Sequence, residues 1–289
     1  MSDRHIHTGR EGVTQLSTDT DRLVLEAADA RLEVSPLDGG RISSLVVRGS
    51  ELLLTEGAEP IMWGSFPMVP FAGRIRNGRF RFDGRDVQLG LNHPPDAIHG
   101  SVFERGWQVD DPATLSIDLG PEWPFAGRVV QRFALRDDGL EVSLRLTCDE
   151  PMPAALGWHP WFRRRLSGSD GRPAAPSAPV ELHLDAAWMY VRDGDGIPTG
   201  ELVEPPAGPW DDCFTGLRSA PRLIWPGVLG LELMSSADHW VVYDEPRDAV
   251  CIEPQTAPPD FVTIAPSTTL PGEPLVATMT WRWWALDRR

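Results

Sequence analysis

The chain has 289 residues, 41% of them hydrophobic and 24% charged, with a formal net charge of -15. The proportions are ordinary for a globular protein, and the negative balance disfavours a nucleic-acid backbone or an anionic membrane surface as partner. Every basic residue apart from histidine is arginine, which excludes Schiff-base chemistry, pyridoxal-phosphate attachment and a Walker-type phosphate loop, all of which need lysine.

Residues 1–20 are polar, lack the apolar centre of a signal peptide, and read as a flexible leader to a domain spanning 21–289. This leader holds the chain's one His-x-His, His5-Ile6-His7. No apolar run approaches the roughly 20 residues that span a bilayer, so the location expected is cytoplasmic. Period-2 alternation then dominates. It predicts strands at Arg22 to Glu26, Arg31 to Val34, Ile42 to Val47 and Glu51 to Leu54, the last two joined by a hairpin turn at Arg48-Gly49-Ser50. Phe66 to Phe71 is apolar but holds two prolines, and so reads as irregular. Arg79 to Phe82 alternates into the turn Asp83-Gly84. Three strands follow, at Thr114 to Leu119, Val129 to Leu135 and Leu140 to Cys148, with Asp137-Asp138-Gly139 as a hairpin signal. Leu166 to Pro179, rich in Ser, Gly, Ala and Pro, reads as a surface loop because strands of the same character flank it, with a domain linker as the alternative. Further strands are expected at Val180 to Leu184, Leu229 to Met234, Trp240 to Tyr243, Ala249 to Glu253 and Leu275 to Trp284. So many short strands indicate an antiparallel sandwich or barrel. Three widely separated cysteines with no CxxC pair argue against a disulfide framework or a zinc knuckle.

Two segments carry chemistry. Gly157-Trp158-His159-Pro160-Trp161-Phe162 sets an imidazole among aromatic rings, where a plain core histidine is the alternative reading. Val250-Cys251-Ile252-Glu253-Pro254 sets a carboxylate in strand-like sequence. Alternation puts Cys251 and Glu253 on one face and Val250 and Ile252 on the other, and Pro254 reads as the strand's end. A face turned to solvent is the alternative. A histidine and a glutamate are the minimum for moving two protons near neutral pH. Around them, Arg74 follows the apolar proline-containing segment and offers a fork of donors, although an exposed hairpin arginine is also compatible. His99 ends a polar, ordered loop. Asp211, in Trp210-Asp211-Asp212-Cys213-Phe214, reads as a turn or helix cap, or as an acceptor for hydroxyls. Arg163-Arg164-Arg165 reads as a solvated edge or an anion site. Trp281, Trp283 and Trp284 read as core, and Trp161 as the ring that faces a sugar.

Together, Gly39-Gly40-Arg41-Ile42, Pro70 to Gly78, the loop ending His99-Gly100, Gly157 to Phe162, Asp211 with Phe214, and Glu253-Pro254 resemble in order the aldose 1-epimerase (galactose mutarotase-like) family. The resemblance implies an all-β, single-domain antiparallel β-supersandwich. It implies an isomerase interconverting the α and β anomers of a free aldohexose, with no cofactor, no metal, a monosaccharide as small-molecule partner and a monomer or homodimer. It maps the catalytic pair onto His159 and Glu253 and substrate binding onto Arg74, His99 and Asp211. Family members often carry Asn where this chain has Gly73, and Tyr where it has Trp161. The expected mechanism has an ionised Glu253 and a protonated His159, with activity peaking near neutrality. Rival readings are a glycoside hydrolase using Glu253 and Asp211, a sugar-binding protein without catalysis, a hexose-phosphate epimerase of the same fold, and a metal-dependent lyase or cupin, which the lone His-x-His disfavours.

Overall fold

Alternation along each strand sorts side chains between two faces, and two antiparallel sheets use that sorting to enclose one core. The computed structural model describes residues 17–19, 21–168 and 178–286; the rest of the expected leader, and most of the expected Leu166 to Pro179 loop, lie outside them. The larger sheet has 12 strands. Its first half runs Ser17–Asp19, Arg22–Glu26, Ala30–Ser35, Arg41–Val47 and Ser50–Leu53. Its centre is Gly157–Gly168 beside Ala249–Gln255, and it continues through His239–Tyr243, Asp211–Leu217, Ala186–Arg192 and Pro198–Val203. Ser65–Met68 pairs with both Gly157–Gly168 and Arg41–Val47. The second sheet has 8 strands, from Gln108–Asp111 through the long Gly127–Arg136, Gly139–Cys148 and Leu275–Ala285 to Glu181–His183.

Residues of both inner faces meet in a single apolar cluster that includes Leu45, Phe162, Val250 and Ile252 from the large sheet and Leu115, Leu144, Met279 and Trp281 from the small one. Phe162 and Trp281 meet edge to face at 5.0 Å. A polar bridge accompanies the apolar one. Trp158 Nε1 donates to Gln131 Oε1 at 3.1 Å, and Gln131 Nε2 donates to the Gly40 carbonyl at 2.7 Å. The bridge satisfies groups whose burial would otherwise cost free energy. Arg48-Gly49 and Asp83-Gly84 both take positive φ at two successive positions, the geometry of tight hairpin turns.

Several local expectations are corrected. Ser65–Met68 is a strand despite Pro67, because Pro keeps an extended φ and forfeits only one donor. For the same reason Pro254 does not end its strand, which continues to Gln255 with Pro254 opposite Trp240. Asp211 is neither turn nor cap but opens the strand Asp211–Leu217, opposite Tyr243. Trp284 is 38% exposed, its indole lying where a side chain at position 230 would be. Arg163 Nε donates to the Leu53 carbonyl, and Arg164 donates to the carbonyls of Pro246 and Asp244. The three cysteines are free and buried. Among the described residues no helix is long and apolar enough to cross a membrane.

Candidate active site

The centre of the large sheet presents its second face to a smaller apolar cluster of Phe66, Met68, Ala72, Phe103, Trp161, Ala249 and Cys251. His159 and Glu253 lie on this face. The register sets Gly157 opposite Gln255 and Trp161 opposite Cys251, so the residues midway between, His159 and Glu253, oppose each other across neighbouring strands. His159 Nε2 is 3.3 Å from Glu253 Oε1. Both are buried, at 5% and 2% exposure, which rules out the solvent-facing alternative for Glu253. Gln255 Nε2 donates to the other carboxylate oxygen at 3.2 Å.

Aromatic packing fixes the imidazole. Phe66 stacks on it at 4.9 Å and Trp161 at 5.2 Å, nearly parallel to it, while His99 meets it edge-on at 4.9 Å. Trp161 is itself held by a hydrogen bond from Nε1 to the Ile61 carbonyl at 2.8 Å. The ring expected to face a sugar thus lies flat against the histidine, and what that stacking does is orient the imidazole.

His99 arrives from a strained connection. Its φ is 59°, its N–H donates to the Gly73 carbonyl at 2.9 Å, and Gly100 (φ +83°) passes so close to Val69 that any side chain there would strike the Val69 carbonyl. Arg74 pairs with Ile98 on the adjoining short ladder. Its guanidinium reaches Asp96 at 3.6 Å and lies 3.5 Å from His93 Nε2. Asp211 receives Arg192 Nη1 at 2.9 Å, and Asp212 receives Arg192 Nε at 2.8 Å. Arg76 ties this region to the Ala186–Arg192 side of the molecule through Asp193 and Asp195.

Gly73 explains one departure from the family pattern. Its φ of +67° is one that Asn also tolerates better than most residues, but a Cβ there would come within 2.6 Å of the Pro259 ring. The adjacent backbone is bound to the same segment, with Asp260 N–H donating to the Arg74 carbonyl at 2.6 Å.

Electrostatics here is set by burial. Burial pushes Glu253 well above the usual carboxylate range, with the negative charge of Asp211 acting the same way. Burial lowers His159 to about 3, reinforced by the positive charge of Arg41. His99 is lowered well below its ordinary value by burial and then by His159, Arg74 and His93. Asp211 is raised, chiefly by burial, against the pull of Arg192. Burial thus works against the charged forms of both groups, the forms that the expected mechanism gives them.

Sequence reasoning missed several members of this constellation. Arg41 is 1% exposed and donates to the carbonyls of Asp38, Pro60, Trp63 and Phe103, with its guanidinium over the rings of Trp63 and Phe66. Burial lowers it to about 10. The two glycines before it were the available signal. Gly39 (φ +81°) lies so near Phe103 that a Cβ would meet its carbonyl at 1.7 Å. Arg192, Asp96 and Phe66 carried no local signal, while alternation alone places Cys251 on the face of Glu253.

An antiparallel β-supersandwich is the architecture of a galactose mutarotase-like protein, and here a buried His–Glu pair is opposed across its central strands. Residues 21–268 match the aldose 1-epimerase family, and the chain belongs to that family. It is 33% identical over 131 residues to the protein YphB of Escherichia coli (strain K12), covering 43% of this chain and 42% of that one. It is 29% identical over 173 residues to galactose mutarotase of Sus scrofa, covering 57% and 48%. The chain thus spans about half the length of these curated relatives. In fold it resembles a galactose mutarotase-like protein from Clostridium acetobutylicum (TM-score 0.78, 16% identity, 91% of this chain and 95% of that one). It also resembles galactose 1-epimerase from Lactobacillus acidophilus NCFM (TM-score 0.74, 17% identity, 97% and 98%).

Proposed function

We propose that this protein is an aldose 1-epimerase that interconverts the anomers of a free aldohexose by acid–base ring opening. The observation that carries the reading is the 3.3 Å approach of His159 Nε2 to Glu253 Oε1 inside a buried, aromatic-walled site. A neutral imidazole with a protonated carboxyl and an imidazolium with a carboxylate hold the same protons and the same net charge. One proton moving across the gap converts the first state into the second. When sugar hydroxyls replace the pair's mutual contact, the ionised state is the reactive one.

In the reaction, the Glu253 carboxylate takes the proton of the anomeric hydroxyl while the His159 imidazolium gives its proton to the ring oxygen. The C1–O5 bond breaks, leaving an open-chain aldehyde and a new hydroxyl. Glu253 is then protonated and His159 neutral, the state that burial favours. Desolvation thus stabilises the pair as it stands with the open-chain form bound. Rotation about C1–C2 and reversal of the two transfers close the other anomer. Arg74, neutral His99 and Asp211 are assigned to the remaining hydroxyls, holding the ring in a productive pose. His99 Nδ1, His159 Nδ1 and Gln255 Oε1 are buried without a partner inside the protein, consistent with a site completed by hydroxyls. The engagement of Arg163 and Arg164 with backbone carbonyls favours an unphosphorylated sugar over a hexose phosphate.

Polarimetry on freshly dissolved α-glucose, α-galactose and a panel of hexose 6-phosphates tests the reading. Accelerated mutarotation of a free hexose is expected. Decay at the buffer rate for every free aldohexose would overturn it.

A further inference from the structure

We propose that His159, Cys251 and Glu253 form a binding site for a thiophilic divalent cation of the zinc type, and that the bound ion blocks the proton pair. Cys251 is the group that the ring-opening mechanism leaves unused. It precedes Glu253 by two strand positions and so shares its face, opposite Trp161 in the register. One donor atom from each residue, the imidazole nitrogen, the sulfur and a carboxylate oxygen, lies within 4.8 Å of the other two, and all three residues are buried.

The geometry fits a small tetrahedral ion. Bonds of 2.0–2.3 Å from nitrogen, oxygen and sulfur give tetrahedral edges of roughly 3.3–3.7 Å. The His159–Glu253 edge already stands at 3.3 Å. The third donor needs only a side-chain adjustment within the 4.8 Å envelope. The donor set selects the ion: thiolate and imidazole favour zinc, cobalt or cadmium over magnesium or calcium, which seek all-oxygen shells. Three protein donors leave the fourth vertex to water or a sugar hydroxyl. Coordination would release the thiol proton, and the carboxyl proton if present, to solvent. It would occupy Nε2 and a carboxylate oxygen at once, the two atoms that must exchange protons with sugar. Blocking rests on the mutarotase reading; binding does not.

The test is a titration of tag-free, reduced, metal-stripped protein with Co²⁺, followed by near-ultraviolet absorption, and then displacement by Zn²⁺. One equivalent of Co²⁺ with a thiolate-to-cobalt charge-transfer band is expected, abolished by Zn²⁺, which binds such sites more tightly. The band cannot arise from His5 and His7, which offer no sulfur. Cys251→Ser should lose the band and weaken Zn²⁺ binding by at least about tenfold, with an unchanged circular-dichroism spectrum, while Cys148→Ser and Cys213→Ser keep it. Polarimetry on the same samples should show mutarotation falling as zinc occupies the wild type, and resisting zinc in Cys251→Ser. A wild type without the band, or a band that survives Cys251→Ser, overturns the site. Cobalt held through Cys251 with undiminished mutarotation overturns the blocking. A metal-free protein with no mutarotase activity would instead sink the functional reading, and the cobalt spectrum would still decide the site.

Discussion

The deep pair and the rim of this site are built on opposite principles. His159 and Glu253 sit on adjacent central strands, nearly sealed from water, with stacked rings fixing one and Gln255 touching the other. Arg74 and Asp211, each the first residue of its strand, are a third to a half exposed and already neutralised by Asp96 and Arg192. Burial tunes the pair, while mutual ion pairing orders the rim. Under the proposed function, the difference teaches that proton chemistry would be a property of desolvation, and recognition a property of charges that exchange one partner for another when sugar arrives.

The sharpest way to break this contrast is to remove a member of the pair. His159→Asn and Glu253→Gln should each cut turnover by about 10²–10⁴ while leaving the fold intact; near-normal rates by polarimetry in either variant would collapse the distinction. Rim variants should act mainly on KM. Arg74→Ala or Asp211→Asn is expected to lower kcat/KM by roughly tenfold to a hundredfold, checked by mutarotation rates across a concentration series. Arg192→Ala should cost less, about fivefold, because it loosens Asp211 without removing it. A loss as large as that of Asp211→Asn would place Arg192 on the sugar itself.

The pH profile separates the regions differently. The working pair holds one proton, gaining a second only below the His159 value and losing the first only above that of Glu253. With His159 lowered to about 3 and Glu253 raised, the rate should not fall between pH 7 and pH 5. An ordinary histidine would by then have taken a second proton and lost more than tenfold. The smallest effect expected is on stability. Folded Glu253 retains its proton above its unfolded value of 4.5, so the folded state binds more protons than the unfolded chain there. Stability therefore declines as pH rises from that value through the raised one. Glu253→Gln abolishes this decline and should raise Tm by about 2–4 °C at pH 7, a gain that thermal melts should show vanishing below pH 4.5.

The sheet-forming segments were legible because period-2 alternation and turn residues are local signals. The strands that this pattern names fall where it puts them, often to within a residue or two, but it does not name Gln108–Asp111, Gly157–Gly168, Ala186–Arg192, Pro198–Val203, Asp211–Leu217 or Arg222–Trp225. Ser65–Met68 escaped because Pro67 reads locally as a breaker while its pairing is long-range. In the site, an apolar neighbourhood betrayed His159 and Glu253. No rule of spacing could show that Arg192 clamps both Asp211 and Asp212, that Arg41 serves four carbonyls instead of a carboxylate, or that Trp161 lies on His159. Those depend on register between strands far apart in sequence, which only the folded chain discloses.

The near-touch of Gly73 and Pro259 binds two distant codons into one decision. An engineer who installs Asn at position 73 to change which hexose is preferred, as other family members carry, would drive a new Cβ into the proline ring and displace the backbone that aims Arg74. Drift at position 73 is therefore trapped until Pro259 yields, and altering Pro259 to a smaller residue first is the order in which such a lineage, or a directed-evolution library, could admit a side chain at 73.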